Sequence, residues 1–361
     1  MKKISRRSFL AAAGLTAAAA ALTACGGSSS SAPASTPASG AASVAAPEAA
    51  GWKSGDTVYV HVPAKAGGGS DLYTRYLTAA LTEVCPGVNF VVNNYDTGEV
   101  GMEAAKNADP DGLNLGMNHG GGIIQWLTGA SNVSMKDDVR VIGIITLGGP
   151  QAIIANPDAP YKNMTEFADY LKANPGETVI GCSLGGTTQM IFVSLVNALT
   201  GNSEDALYVQ CSSEADKLTQ TAAGAINIAN CSIPNALQYE QDGKLTILGT
   251  IGPKMSTLDA MEELTGLDLS DAYKSGPEQG IDSATWDSAY YLFAPKDTPD
   301  EICEAINEAV CKATEVASYQ DGMKAMAGFY DALDLAEVQA TFDAEWAFMD
   351  NLTQEMGLKA R

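Results

Sequence analysis

From Thr57 onward, short β-branched runs alternate with longer stretches in which apolar residues recur every three or four positions. The short runs fit strands and the long ones fit helices, and their alternation predicts an α/β fold with mainly parallel sheet. Thr57 to Val62 reads as a strand ended by Pro63, and Gly67-Gly68-Gly69-Ser70-Asp71 as a turn into a helix carrying Leu72, Tyr76, Leu77, Ala80 and Leu81 on one face. Phe90 to Asn93, Leu113 to Met117 and Val139 to Leu147 are further strands. Between them lie helical patterns from Gly101 to Ala108 and from Ile123 to Leu127.

The grammar then repeats. Gln151 to Ala155, Thr178 to Cys182, Ala206 to Gln210, Ala225 to Ala229 and Leu245 to Ile251 read as strands, with helices at Met164 to Ala173, Gln189 to Leu199 and Ser213 to Ala223. After a polar, acidic stretch from Asp259 to Ser283, Tyr290 to Ala294 is a strand, Pro299 to Ala317 a helix, and Ala336 to Met356 a last helix with Trp346 and Phe348. This order predicts a discontinuous first lobe, residues 51–149 with 285–361, and a second lobe of residues 150–284. The chain leaves the first near Gly148-Gly149-Pro150 and returns near Trp286. Two crossings make a hinge, and a hinge between α/β lobes makes a cleft.

The first 50 residues follow neither pattern. Lys2, Lys3, Arg6 and Arg7 precede an apolar run from Phe9 to Ala21 that is too short for an ordinary spanning helix, which needs about 20 residues. Residues 1–25 therefore read as an export signal. Ser5-Arg6-Arg7-Ser8-Phe9-Leu10 resembles the twin-arginine motif, and Leu22-Thr23-Ala24-Cys25 resembles a bacterial lipobox. That resemblance makes Cys25 a lipidated residue on the outer face of the cell membrane. Residues 26–50, nearly all Gly, Ser, Ala, Pro and Thr, read as a disordered tether.

Of the 361 residues 46% are hydrophobic and 18% charged, which is enough apolar material for a core and, at this length, for two lobes. The net charge is −22, and removal of a leader with four basic and no acidic residues takes it to −26. Such a surface repels phosphates, so nucleic acid is excluded as a partner. Six cysteines follow Cys25, at positions 85, 182, 211, 231, 303 and 311, and their spacing defines no disulfide framework. Cys303 and Cys311 lie about 12 Å apart along a predicted helix, too far to bridge. The two histidines, His61 and His119, have no ligand spacing with a cysteine, so no metal is expected, nor any cofactor.

Gly181-Cys182-Ser183-Leu184-Gly185 matches the nucleophile-elbow pattern between a strand and a helix, but no histidine follows it in the chain to act as base. Ser183 is better read as a hydroxyl and backbone donor at a helix start. The turn Lys65-Ala66-Gly67-Gly68-Gly69-Ser70-Asp71 lacks the spacing of both phosphate-binding glycine motifs. It keeps their physics: glycines admit close backbone approach, and free amides at a helix start favour anions. Gly185-Gly186-Thr187-Thr188 is a second loop of this type. Asp71 fits a first-turn acid that caps the helix, and Lys65 either pairs with a ligand carboxylate or is solvated. His61 alternates with Val60 and Val62 as a structural strand residue. Asn118-His119, at a strand end, is the better cleft candidate, while Trp286 and Tyr291 fit the core.

With these loops the chain resembles the Bug-type solute receptors of tripartite tricarboxylate transporters. Val62 to Asp71 with Arg75 is similar to the family's P-x-x-A-G-G-x-[ST]-D loop and its following arginine, and Asn93-Asn94 with Gly98 and Gly101 to its N-x-x-G-x-x-G segment. Ala108 to Leu115 is similar to its P-D-G-Y-T-L, Gly181 to Thr188 to its second loop, and Trp286 with Ala294 to Pro299 to its return segment. The resemblance implies two lobes of the type II periplasmic-binding-protein kind, with mixed sheets flanked by helices, closing on a small organic carboxylate. It implies a binding set of Lys65, Ala66, Gly67, Gly68, Ser70 and Asp71 in the first loop and Ser183, Gly185, Gly186, Thr187 and Thr188 in the second, with Asn118, His119 and Ser212 added from their positions. Lys65 stands where an apolar residue or proline is usual, and Cys211-Ser212-Ser213 replaces the common P-Y-x-G. The expectation is a monomeric, lipid-anchored, non-enzymatic receptor that hands its ligand to the permease subunits of the transporter. A ligand-sensing lipoprotein serving a signalling partner is the alternative, and a serine hydrolase a more remote one.

Overall fold

The computed structural model describes residues 51–361 except 97, 212 and 287. The export signal, the tether, Cys25 and Ser212 lie outside the described residues. Strands β1 (Thr57–Val62), β2 (Asn89–Asn94), β3 (Asn114–His119) and β4 (Val139–Thr146) alternate with helices α1 (Gly69–Val84), α2 (Gly98–Lys106) and α3 (Gly120–Leu127). There follow β5 (Gln151–Ala155), α4 (Met164–Ala173), β6 (Thr178–Cys182), α5 (Thr187–Thr200), β7 (Ala206–Gln210) and α6 (Glu214–Ala222). Then come β8 (Ile228–Ser232), α7 (Ile233–Gln241), β9 (Thr246–Ile251) and α8 (Leu258–Thr265). The chain ends with β10 (Tyr290–Pro295), α9 (Asp300–Thr314), α10 (Ala317–Met326) and α11 (Leu335–Glu355).

Two five-stranded sheets share one plan, β2-β1-β3-β10-β4 and β7-β6-β8-β5-β9. In each, four of the five strands point the same way, and the strand that has just crossed between the sheets inserts antiparallel to both its neighbours: β10 between β3 and β4, β5 between β8 and β9. The sheets are therefore mixed, each with one reversed strand that hydrophobic alternation could not reveal, since it carries no information about strand direction. The first sheet is completed by a strand from the far end of the chain. One apolar cluster runs from Ile123, Ile144 and Phe293 through Trp286 to Ile153, Ile180 and Phe192, so the two sheets share a core.

Local sequence fixes several boundaries. Asn163 accepts a hydrogen bond from the Glu166 N–H to start α4, and Asp334 with Glu337 forms a reciprocal capping box at α11. Other boundaries differ from the pattern. The strand expected at 225–229 begins at Ile228, because the Ala225 and Ile226 N–H groups close the end of α6 on the Gln220 carbonyl. The helix expected from Pro299 to Ala317 is two helices, broken where Val316 is extended and serves as N-cap of α10. Helix α7 and, inside the polar stretch, α8 were not anticipated. Helix α8 carries Leu258, Met261 and Leu264 at helical spacing, but it is only 8 residues long and Met261 alone is fully buried, so its signal is weak within the polar stretch.

Candidate functional site

The carboxyl ends of β2, β3 and β6 each lead to a helix start at the gap between the sheets, and Pro63 follows β1 there. A cavity of about 140 Å³ lies there, lined by Pro63, Gly98, Asn118, His119, Gly121, Ile124 and Gln125 from one side and Gly185, Gly186 and Thr187 from the other. No lining residue is charged by type apart from histidine. The starts of α2, α3 and α5 all face this space, and helix starts carry a partial positive charge, although at α3 the Gly120 and Gly121 N–H groups are already taken by Ser288 Oγ and His119 Nδ1.

The second loop is held open toward that cavity by its own side chains. The Ser183 N–H donates to Thr188 Oγ1 at 2.8 Å, the Leu184 N–H to Gln210 Oε1 at 2.9 Å and the Gly185 N–H to Gln189 Oε1 at 2.7 Å. Those three amides are thus spent within the protein. The N-cap of α5, Gly186, offers no side-chain acceptor to the helix, which leaves the first-turn amides of Thr187 and Thr188 as the donors facing outward. Gly185 has φ of +73°, a conformation that side-chain-bearing residues rarely adopt and that turns the loop into the helix.

The first loop is built the same way but sits farther out. Gly68 caps α1 without a side-chain hydrogen bond, and Gly67 has φ of +87°. Asp71 is buried and does not act as the N-cap that its position suggested. One carboxylate oxygen accepts the Gly67 N–H at 2.8 Å and the other pairs with Arg75 Nε at 2.9 Å, so Asp71 ties the loop back onto the helix. Burial pulls its pKa upward, but the Arg75 and Gly67 hydrogen bonds outweigh it and hold the carboxyl below its usual range. Lys65, Ala66, Gly67 and Gly68 are exposed and Ser70 half-buried, and none of these five lines the cavity. Lys65 has no ion pair among the described residues.

His119 is the N-cap of α3, its Nδ1 accepting the Gly121 N–H at 3.0 Å. Burial pushes its pKa down to about 4, so the ring is neutral. Asn118 is buried, with Oδ1 accepting the His119 N–H at 2.9 Å. No hydrogen bond joins His119 to Ser183 among the described residues. His61 lies beneath, buried between Tyr95 and Asn114 at 2.7 and 3.4 Å.

Three contributors escaped the sequence reading. Tyr290 stacks on His119 at 4.9 Å between ring centroids and on Tyr73 at 5.0 Å. Its hydroxyl reaches Gly69 at the start of α1, at 3.7 Å from where a Cβ would stand. Burial, with the Glu345 charge behind it, pushes that hydroxyl up to about 12, so it stays neutral beside the first loop. Strand alternation was the available signal: Tyr291 is fully buried, so its neighbour must face the other way. Gly98 was noted only as part of a motif, and Gln125 on a one-face apolar helix gave no signal at all.

Among the described residues the cysteines at 85, 182, 211, 231, 303 and 311 are all free, and no group of three or more His, Cys, Asp or Glu could hold a metal ion. No described helix is long and apolar enough to cross a membrane.

Two mixed sheets of matching order, crossed twice by the chain and enclosing a cavity at their helix starts, define the fold of the periplasmic binding proteins. The chain belongs to the tripartite tricarboxylate transporter receptor family, whose model matches residues 85–331. It is 24% identical over 262 residues to a UPF0065 protein of Bordetella pertussis, covering 72% of this chain and 76% of that one. In structure it is similar to MatC of Rhodopseudomonas palustris, solved with bound malate, with a TM-score of 0.64 at 21% identity over 82% of this chain and 98% of that one. An R. palustris protein solved with adipate gives a TM-score of 0.66 at 19% identity, over 84% and 97%. At these identities the structural likeness establishes the fold.

Proposed function

We propose that this receptor binds a small organic carboxylate in the cavity between the sheets and delivers it to the permease of a tripartite tricarboxylate transporter. The observation that carries the reading is the convergence of three helix starts on a cavity without charged side chains, an arrangement suited to a carboxylate held by backbone amides. The malate and adipate in the structural neighbours support the same ligand class. The binding set combines Asn118, His119, Gly185, Gly186 and Thr187 at the cavity, and Thr188 next to them, with the backbone of the first loop from Lys65 to Asp71. Residues 51–149 and 285–361 move as one lobe against 150–284, and closure around ligand creates the form that the permease recognises. The receptor acts outside the cytoplasm, exported by its leader and held to the membrane by lipid on Cys25.

A thermal-shift screen of the folded chain against mono-, di- and tricarboxylates and amino acids tests this. Ligand at 100 times its dissociation constant adds about 2.7 kcal/mol of stability. A clear upward shift with one or a few carboxylates is expected, and no shift across the panel would sink the proposal.

A further inference from the structure

A second cavity lies away from the cleft. It has a volume of about 470 Å³ and follows the outer edge of β4 over Val139, Arg140, Val141 and Ile142, with Leu335, Gln339 and Phe342 of α11 as its far wall. Strand β4 ends its sheet and pairs only with β10. From Ile142 onward the edge is covered: Asn307 Nδ2 donates to the Ile142 carbonyl at 3.1 Å, and the Leu147 N–H to the Phe329 carbonyl at 2.8 Å. Over 139–141 no other described strand lies alongside. An uncovered edge presents a row of backbone donors and acceptors that an extended chain can complete. These three residues of edge span about 10 Å, room for a short stretch of pairing.

The rim selects the sign of the occupant. Lys136, Arg140 and Lys296 are among the ten lining residues and no carboxylate is, on a chain with 43 acidic against 21 basic side chains. Each cation is anchored at its post. Lys136 Nζ lies 5.4 Å from the centre of the Trp346 ring. Lys296 Nζ donates to the Asp137 carbonyl. Arg140 Nη1 donates to the Thr298 carbonyl at 2.6 Å and pairs with the exposed Asp300 at 2.8 Å. Neither lysine has an ion pair among the described residues.

We propose that this groove docks an extended, carboxylate-bearing segment of a partner protein by strand addition to β4. A second copy of so acidic a chain is disfavoured there by charge. The groove lies at the Val139–Pro295 end of the sheet, whereas His119 and Thr146 meet Tyr290 at the cleft end, so docking and solute binding use opposite ends of the lobe. The proposal does not depend on the carboxylate reading of the cleft.

The test uses the intact chain at low ionic strength and a fluorescent peptide of alternating glutamate and valine, followed by anisotropy. Binding is expected, with an affinity that falls as salt is added. The Lys136→Gln/Lys296→Gln double variant should bind about tenfold more weakly, at an unchanged thermal midpoint and unchanged response to any cleft ligand. The same peptide N-methylated at alternate amides keeps its carboxylates but cannot pair, and should not bind. Failure of the parent peptide to bind, equal binding by the double variant, or equal binding of the N-methylated peptide would each overturn the proposal. The first of these would leave the cations as protection of an open edge. Binding to phosphatidylglycerol vesicles that the double variant loses, without peptide binding, would likewise overturn it in favour of a membrane contact.

Discussion

Replacing His119 by asparagine should flatten the acid limb of the stability curve. The ring is half-buried against Tyr290, and its Nδ1 must keep a lone pair to accept the Gly121 N–H at 3.0 Å. Burial therefore lowers the folded pKa from 6.5 to about 4. An unfolded histidine takes up its proton near 6.5, so between these values the unfolded state holds more protons and acid favours it. The contribution is complete above about 6.5 and is lost as pH falls through about 4. At about 1.4 kcal/mol per pKa unit the ceiling is about 3.4 kcal/mol. Solvent reaches part of the ring, which lowers the expected loss to about 1 to 2 kcal/mol. Asparagine is a good N-cap, so His119→Asn keeps an acceptor for Gly121 without a titrating group. Denaturant unfolding of both proteins at intervals from pH 7 to 4 gives the difference curve, in which the common His61 and the many carboxylates cancel. The wild type should lose about 1 to 2 kcal/mol relative to the variant across that window. Parallel curves, or a wild type that gains on the variant in acid, would refute the reasoning.

Gly121 at the start of α3 faces Thr187 at the start of α5: a Cβ there would lie 2.9 Å from Thr187 Oγ1 and 2.7 Å from His119 Cε1. Gly121→Ala should weaken ligand binding about tenfold by obstructing closure, as titration calorimetry can measure. Asp71→Asn removes the charge that pairs with Arg75 and fixes the first loop, and should cost about 1 to 3 kcal/mol in denaturant unfolding. The same carboxyl, held below its usual pKa, contributes stability above about pH 3.8 that disappears in stronger acid. Lys65→Ala, at an exposed position outside the cavity lining, should change affinity by less than about threefold, and a tenfold loss would place its ammonium on the ligand.

The alternation of runs made the elements legible because burial imposes its period on sequence directly. Strands β1, β5, β6 and β7 have the residues that pattern assigned them. What pattern could not convey was direction and partnership: nothing in Tyr290 to Pro295 says that it inserts antiparallel between β3 and β4. Gly185 to Thr187, read from the sequence as a backbone loop, do line the cavity. The site was misread where a side chain serves the fold: Asp71 looks like a cap and is a loop tie, and the amides of Ser183 and Gly185 look like ligand donors and are satisfied by Thr188 and Gln189. Such partners are set by three-dimensional reach within a loop, which spacing alone leaves open.

The charge of −22 poses a different question, because an acidic chain is an unpromising collector of anions. The cavity answers it locally. Its lining holds no Asp, Glu, Lys or Arg, and the nearest buried acids are engaged elsewhere, Asp71 at Gly67 and Arg75, Glu345 at the Ala289 N–H and the Tyr291 hydroxyl. Attraction then comes from helix starts, whose field fades within about one turn, while repulsion from the surface acts over a Debye length of about 8 Å at physiological salt. An anion must cross the repulsive zone before it feels the site. Its association rate should therefore rise as salt screens the surface, the reverse of electrostatic steering. Stopped-flow binding of a dicarboxylate at increasing ionic strength measures this. A rate that falls with salt would mean that a cation at the mouth outweighs the surface, and the exposed Lys65 is the residue placed to do so.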